Sequence, residues 1–289
     1  IVLAVILLVL VLMPGLGREV SGAKRWFRFK FISFQPSEFA NLAVIIYIAD
    51  FISRKSDSLR NFKEGFLPPV AVMGLVLLLI LVQPDLGSVV ALSMVVFIML
   101  FAAGTRFSYL VSLFLLSLPA LYFLVFSVPY RRARVLAFLN PWLDPRGSGF
   151  QVIQSQVALG SGGIFGVGLG QSKQKLFYLP AAHTDFIFSI IGEELGLIGT
   201  LIVVCLFIFF LREGFKIIRN TADKFGYYLG LGLVLLVAFK AIINIGVSCG
   251  MFPTKGLPLP FISYGGSSLI FEMMSVGLLM NIARTGDYP

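Results

Sequence analysis

Eight apolar runs, at about residues 1–14, 37–53, 66–82, 86–104, 107–127, 186–211, 226–249 and 264–283, leave this chain few ways to fold. Each approaches the roughly 20 residues a helix needs to cross a bilayer, the shorter ones through tilt or truncation. Lipid offers backbone N–H and C=O groups no partner, so each run must satisfy its own hydrogen bonds as a helix. The expected fold is an all-α polytopic membrane protein, with residues 1–289 forming a single transmembrane domain. Hydrophobic residues make up 58% of the chain, charged residues 13%, and mean hydropathy is +0.94, outside the balance of a soluble domain. The first run opens at Ile1 without an initiator methionine or a basic flank, so it reads as a chain that has lost N-terminal sequence, not as a signal peptide.

Charge assigns the sides. The connections 54–65, 105–106 and 212–225 with the C-terminal end carry ten Lys and Arg, against twelve in 15–36, 83–85, 128–185 and 250–263. Six of those twelve lie in the long 128–185 segment, which the positive-inside rule largely ignores, and the short loops then divide ten to six. That places 54–65 and 212–225 in the cytoplasm and 128–185 outside. The outer face keeps an excess of cations: Arg18, Lys24, Arg25, Arg28 and Lys30 in one loop, and Arg131, Arg132, Arg134, Arg146, Lys173 and Lys175 in the other. They are either solvated loop charges or a site for phosphate-bearing lipid, since both side chains donate charge-assisted hydrogen bonds to phosphate. The net charge of +9 points to anionic lipid and not to nucleic acid, because no soluble module interleaves basic and aromatic residues.

A connection as long as 128–185 is functional or disordered. Phe150, Val152, Ile153, Val157, Ala158 and Leu159 recur at helical spacing after Gly149, which predicts a short amphipathic or re-entrant helix on the bilayer, followed by a glycine-rich loop over 160–170. Gly166, Gly168 and Gly170 do not complete a nucleotide fingerprint, since Gln171 stands at the closing position and no Walker lysine follows. Ser21-Gly22-Ala23-Lys24 matches the S-x-x-K of penicillin-binding enzymes only by coincidence: S-D-N and K-T-G are missing, and Thr254-Lys255-Gly256 has the wrong order. No Asp-x-Asp pair occurs, and one histidine without nearby cysteine builds no zinc site. Cys205 and Cys249 fall in apolar runs and read as packing residues.

The remaining chemistry gathers around Asp185, where the long loop enters an apolar helix. A carboxylate half in water and half in hydrocarbon is costly without a reason, so Asp185 is either the functional centre or a helix N-cap. His183, the sole histidine, orients a neighbour or joins the cap with Thr184. Asp185, Ser189 and Glu193 follow at i, i+4 and i+8 as a polar stripe, and Gly192, Gly196 and Gly199 permit close approach of another helix. Lys240 and Asn244 lie deep in the seventh run and Glu272 in the eighth. Buried acids and a buried base should pair. Ser189, Glu193, Lys240, Asn244 and Glu272 are therefore expected to support the site, and buried ionisable groups of this kind also suit a translocation path.

Several stretches together carry a resemblance: Arg25-Trp26 with Gln35-Pro36-Ser37-Glu38-Phe39, Gln83-Pro84-Asp85-Leu86-Gly87, Asn140-Pro141-Trp142-Leu143-Asp144-Pro145 through Gly149-Phe150-Gln151, His183-Thr184-Asp185-Phe186 through Gly192-Glu193-Glu194-Leu195-Gly196, and Pro258-Leu259-Pro260-Phe261-Ile262-Ser263-Tyr264-Gly265-Gly266. Over nearly its whole length the chain resembles the SEDS family (shape, elongation, division and sporulation), and Gln174-Lys175-Leu176 with Pro253-Thr254-Lys255-Gly256 resembles its division branch more than its elongation branch. The resemblance implies a membrane glycosyltransferase of ten helices, two of them missing here, that polymerises lipid II at the outer face of the bacterial plasma membrane at the division septum. It implies that Asp185 is catalytic, acting as general base on the acceptor hydroxyl, and that Arg25 and Trp26, at the outer end of a helix, are functional. Lys24, Arg25, Arg146, Lys173 and Lys175 become candidates for holding the departing pyrophosphate, with Trp26 and His183 on the substrate side. A divalent cation, magnesium or manganese, suits that chemistry, and its ligands are unassigned. The partners implied are lipid II, a class B penicillin-binding protein, other division proteins and membrane lipids. Family members commonly carry Glu at the positions of Phe177 and Ala181, Lys at Asn41 and Gln at Lys240, which concentrates the outer acidic chemistry on Asp185. A lipid II transporter and a non-catalytic scaffold for the transpeptidase are the rival readings.

Overall fold

The computed structural model describes residues 1–20, 23–28, 33–254 and 256–285. Ser21, Lys30 and Lys255 lie outside the described residues, as do the side chains of Arg18, Arg28 and Phe177. The chain divides into two compact units: Ile1–Ser112 with Leu211–Phe239 and Gly265–Pro289, and Leu113–Phe210 with Lys240–Tyr264.

Every expected apolar run is helical. In the first unit these are α1 (Val2–Leu12), α2 (Pro36–Arg54), α3 (Leu67–Val82, entered through a π-helical turn Phe62–Phe66), α4 (Leu86–Ala102) and α10 (Gly266–Thr285), with the beginning of α5 (Phe107–Phe126). α2 is the central helix, packed against α1, α3, α4 and α10. It starts where sequence favours a start: Gln35 is extended, Pro36 needs no N–H partner at the first position, and Glu38 complements the positive helix end. Its Ile45, Ile48 and Ile52 are fully buried, and so are Leu8, Val76, Ile80, Val95 and Met99 around it. Gly232, on the first-unit part of α9 (Lys224–Ser248), lets Ile45 and Met99 close in, because a Cβ there would lie 2.5 Å from one side chain and 2.8 Å from the other. Asp85 caps α4, taking the Ser88 N–H at 3.2 Å on one oxygen and its hydroxyl at 2.9 Å on the other.

The connection 15–36, expected as a loop, carries a three-stranded antiparallel sheet, β1 (Arg18–Val20), β2 (Ala23–Arg28) and β3 (Ser33–Phe34), in the order β1-β2-β3. Its aromatic and β-branched residues are too short a run for a span but suit a strand.

The second unit holds the rest of α5, then α6 (Pro129–Leu139), α7 (Phe150–Gly162), α8 (Ile187–Arg219) as far as Phe210, and the end of α9 with the connection to Tyr264. α7 is the helix predicted from the apolar stripe after Gly149. α6 was not expected: its three arginines hid it among loop charges. α8 outruns the apolar stretch because Arg212, Glu213 and Lys216 are good helix formers once water can receive them. Phe188, Val203, Ala241 and Leu259 form the core of this unit, flanked by Leu159, Ile191, Phe207 and Ile245. Six helices are long and apolar enough to cross a membrane, and Val2–Leu12 and Leu86–Ala102 are shorter apolar helices. Cys205 and Cys249 are free thiols on exposed faces, not the packing residues expected.

Candidate active site

α8 is broken at Gly196, whose φ of 65° and ψ of −160° are open only to glycine. A break inside a membrane helix orphans the carbonyls before it and the amides after it, and lipid cannot satisfy either. The glycine-rich loop does. Val167 and Gly168 donate to the carbonyls of Glu193 and Glu194, both at 3.0 Å, while Leu197 and Ile198 donate to the carbonyls of Gly163 and Ile164 at 2.9 and 3.3 Å. Such a fit needs bare backbone. A Cβ on Gly162 would lie 1.8 Å from the Gly192 carbonyl oxygen, and one on Gly166 2.1 Å from that of Glu194. Gly192 thus admits Leu159 of helix α7, as expected of a close helix approach, whereas Gly196 admits the loop that follows α7; Gly199 packs against Leu195 of its own helix.

Two adjacent acids at the break hold the next stretch of loop. Glu193, 3% exposed, accepts from the Ser172 hydroxyl and from the amides of Lys173 at 3.0 Å and Gln174 at 3.3 Å. Glu194 accepts from the amides of Gly170 at 3.0 Å and Ser172 at 3.4 Å, and forms an ion pair with the Lys175 ammonium at 2.7 Å.

The chain then reaches Asp185 through a tight turn. Ala181 adopts a left-handed φ of 57°, and its carbonyl faces the amides of Thr184, Asp185 and Phe186 at 3.1, 3.1 and 3.4 Å. The Thr184 hydroxyl also donates to that carbonyl at 3.2 Å, so Thr184 is not the N-cap. Three successive carbonyls are gripped from the other side. His183 accepts from the Tyr264 amide at 2.9 Å, Thr184 from the Ser263 hydroxyl at 2.5 Å, and Asp185 from the Asn244 side-chain amide at 2.9 Å. Asn244, 1% exposed, gives its other N–H to the Leu257 carbonyl at 2.8 Å, and the Ser263 hydroxyl accepts from the Leu259 amide at 2.8 Å. The Asp185 side chain stays half-buried at the head of α8 on a backbone held by these bonds. One turn on, buried Ser189 meets the Ser155 hydroxyl at 2.6 Å, and Ser155 donates to the Ser248 carbonyl at 2.8 Å.

His183, Arg146 and Lys173 are exposed in the same unit as Asp185, whereas Lys175 is committed to Glu194 and is not a free anion-binding cation. Lys240 is buried in the second unit at 1% exposure; Glu272 is buried in the first, where the Ser268 hydroxyl donates to it at 2.7 Å. Arg25 and Trp26 lie on β2, not at a helix end, with Trp26 paired in register with Arg18. The Arg25 guanidinium donates to the carbonyls of Gln83 at 2.7 Å and Pro84 at 2.5 Å, so it ties the sheet to the α3–α4 turn; Lys24 is half-exposed beside it. Among the described residues no three His, Cys, Asp or Glu side chains gather as a metal site.

Sequence reasoning left Glu194, Ser172, Ser155 and Ser263 without roles. The signal for Glu194 was present: two acids side by side beside a glycine in an apolar helix require a local set of donors. Outside the membrane, Asp144 closes the α6–α7 connection, accepting from the Ser148 amide at 2.8 Å and hydroxyl at 3.2 Å and the Gly147 amide at 3.0 Å. These bonds, the Ser148 amide foremost, hold its carboxyl below the usual range.

Comparison with known proteins gives this architecture a family. The chain is 49% identical to the probable peptidoglycan glycosyltransferase FtsW of Geobacter metallireducens over 96% of its own length and 74% of that protein's. It is 45% identical to the stage V sporulation protein E of Bacillus subtilis, covering 99% of this chain and 78% of the relative. A chain of a solved peptidoglycan synthase complex, one that coordinates polymerization and crosslinking, superposes with a TM-score of 0.80 at 32% identity, over 99% of this chain and 80% of that one. With residues 1–288 matching the family of cell cycle proteins that unites FtsW, RodA and SpoVE, the chain belongs to that family and is a multi-pass membrane protein of its kind.

Proposed function

We propose that this chain is a peptidoglycan glycosyltransferase that polymerises lipid II into glycan strands at the outer face of the plasma membrane during division, with Asp185 as its general base. The observation that carries the reading is the turn at Asp185. Three consecutive carbonyls held by Tyr264, Ser263 and Asn244 fasten the backbone that carries an acidic side chain where a polar loop meets a membrane helix. Pre-organisation of this kind is what a base needs to accept a proton in the transition state without first reorganising.

In the reaction the acceptor GlcNAc 4-hydroxyl gives its proton to the Asp185 carboxylate as its oxygen bonds to C1 of the donor MurNAc. The C1–O bond to the lipid pyrophosphate breaks, and its electron pair leaves with the phosphate. Exposed cations of the same unit, Lys173 and Arg146, suit the growing negative charge on that group. The short-loop charge division supports an outward site. A class B penicillin-binding protein is the fitting partner, because strands made here need crosslinking, and other division proteins and anionic lipids complete its setting at the septum.

The test compares wild type with Asp185→Asn, each reconstituted with the transpeptidase and supplied with labelled lipid II, reading glycan polymer on a gel. Loss of the base should cut turnover by roughly a hundredfold to ten-thousandfold with the protein still folded. Equal polymer from both proteins would refute Asp185 as the base, and no polymer from either would refute the enzyme reading.

A further inference from the structure

The two acids at the break in α8 hold more than their burial requires. Between them Glu193 and Glu194 take the backbone amides of Gly170, Ser172, Lys173 and Gln174, the Ser172 hydroxyl and the Lys175 ammonium. The Ser172 hydroxyl in turn accepts from the Lys175 amide at 3.1 Å, so the turn is knitted on both sides. The result separates two lysines that look equivalent in sequence. Lys175 is neutralised by Glu194, with side-chain exposures of 24% and 15% in the pair. Lys173 has its amide fixed by Glu193 and its side chain exposed.

We propose that Glu193 and Glu194 are positioning residues that clamp residues 170–175 to the broken helix and so present Lys173, and not Lys175, as the cation that grips the pyrophosphate of the lipid-linked substrate. The proposal rests on the lipid II reading above and adds which lysine binds and what aims it. Two carboxylates are needed because backbone donors leave a short loop along several directions, and each acid accepts along only some of them. A loop held by one acid would swing about it. Held by both, the loop sets the Lys173 amide to within a hydrogen bond's tolerance, and a charge-assisted contact to phosphate depends on that setting. Glu194 has a second effect: pairing with Lys175 cancels one positive charge near Lys173, so the loop presents one directed cation instead of two.

The experiment measures equilibrium binding of fluorescent lipid II to the full chain in nanodiscs, which needs no turnover, alongside unfolding temperature. Lys173→Ala should weaken binding about tenfold or more, the worth of one hydrogen bond to a charged group, without moving the unfolding temperature. Glu193→Gln should weaken binding by a similar factor, and the double variant should bind no worse than either single one, because both remove the same contact. Lys175→Met should lower the unfolding temperature and change affinity by less than about threefold. Ser172→Ala, which removes one loop donor and leaves both carboxylates in place, repeats the Glu193 arm with a milder change. A double variant weakened by the product of the single effects would overturn the proposal, as would a Lys173→Ala protein with wild-type affinity or a Lys175→Met protein as weak as Lys173→Ala. A wild type that binds lipid II without polymerising it would refute the enzyme reading while the cycle still decides the clamp. A wild type that does not bind lipid II overturns both.

Discussion

Replacing Gly196 by alanine tests whether the α8 break and the glycine-rich loop form one interlocked unit. An alanine Cβ would lie 2.4 Å from the Gly166 nitrogen, 2.5 Å from the Ile164 oxygen and 2.6 Å from the Ile164 carbonyl carbon, all backbone atoms that cannot rotate away. The φ of 65° with ψ of −160° adds about 1–3 kcal/mol of conformational strain for any residue with a side chain. Relief of the clash needs the loop to retreat by about 1 Å, which breaks hydrogen bonds now at 2.9–3.3 Å. Each buried group left unpaired costs about 1–3 kcal/mol and a broken bond strands two, so losing even one of the four bonds brings the total to about 3–9 kcal/mol. That is a large share of the stability of an ordinary domain. Thermal unfolding in detergent should show Gly196→Ala lowered by at least about 5 °C. Gly277→Ala in α10, where an added Cβ meets nothing within 4 Å, is the control and should be neutral or stabilising. A Gly196→Ala protein unfolding within about 1 °C of wild type would refute the interlock.

Asn244→Leu keeps approximate volume but frees the carbonyls of Asp185 and Leu257, so kcat for lipid II polymerisation should fall by about tenfold to a hundredfold with a smaller change in KM; an unchanged kcat would show that the backbone grip is not needed. Arg25→Lys loses the planar fork that reaches two carbonyls at once and should cost about 1–2 kcal/mol in thermal unfolding, whereas a purely substrate-binding Arg25 would leave stability untouched. Ser155→Ala strands the Ser189 hydroxyl and should destabilise by about 1–3 kcal/mol, and the Ser155→Ala/Ser189→Ala pair should recover part of that loss in the same assay. The Asp144 carboxyl titrates below its ordinary range, so its contribution to the α6–α7 turn is fully present above the ordinary value of about 4 and is lost as pH falls through the depressed one. Protection of the Gly147 and Ser148 amides, taken against their intrinsic exchange rates, should therefore persist at about pH 5 and be lost in stronger acid, while Asp144→Asn should show no such acid step.

What sequence could reveal of the fold follows from how strongly lipid constrains a chain. All eight apolar runs are helices, because a bilayer leaves backbone no other way to bond to itself. Where water is the solvent the constraint relaxes and so does the reading. β1 to β3 and α6 were missed because a short amphipathic stretch can satisfy its backbone in several ways, and tertiary context chooses. The Asp185 turn was half legible: His183-Thr184-Asp185-Phe186 marked the place, but nothing in spacing says that Ser263 and Tyr264, about 80 residues on, hold its carbonyls.

Glu193 shows the same limit from the other side. Read as a helix residue, a buried acid can be matched only with side chains one turn away or with a charge on another span, and Lys240 becomes the natural companion. Its recorded hydrogen bonds instead come from the backbone and hydroxyl of residues 172–174, which no pattern of residue types could identify, since almost every residue carries an N–H. The glycines were the usable signal. Gly162 and Gly166 stand four apart, as do Gly192 and Gly196, and in the structure Gly162 abuts the Gly192 carbonyl while Gly166 abuts Gly196. Two matched pairs of bare backbone mark two segments that must touch along their main chains. An acid just beside such a contact, at Glu193 and Glu194, has loop amides within reach, and for Glu194 the Lys175 ammonium of the same loop, which makes the acids supports of the loop and leaves Asp185 as the acid at the head of α8.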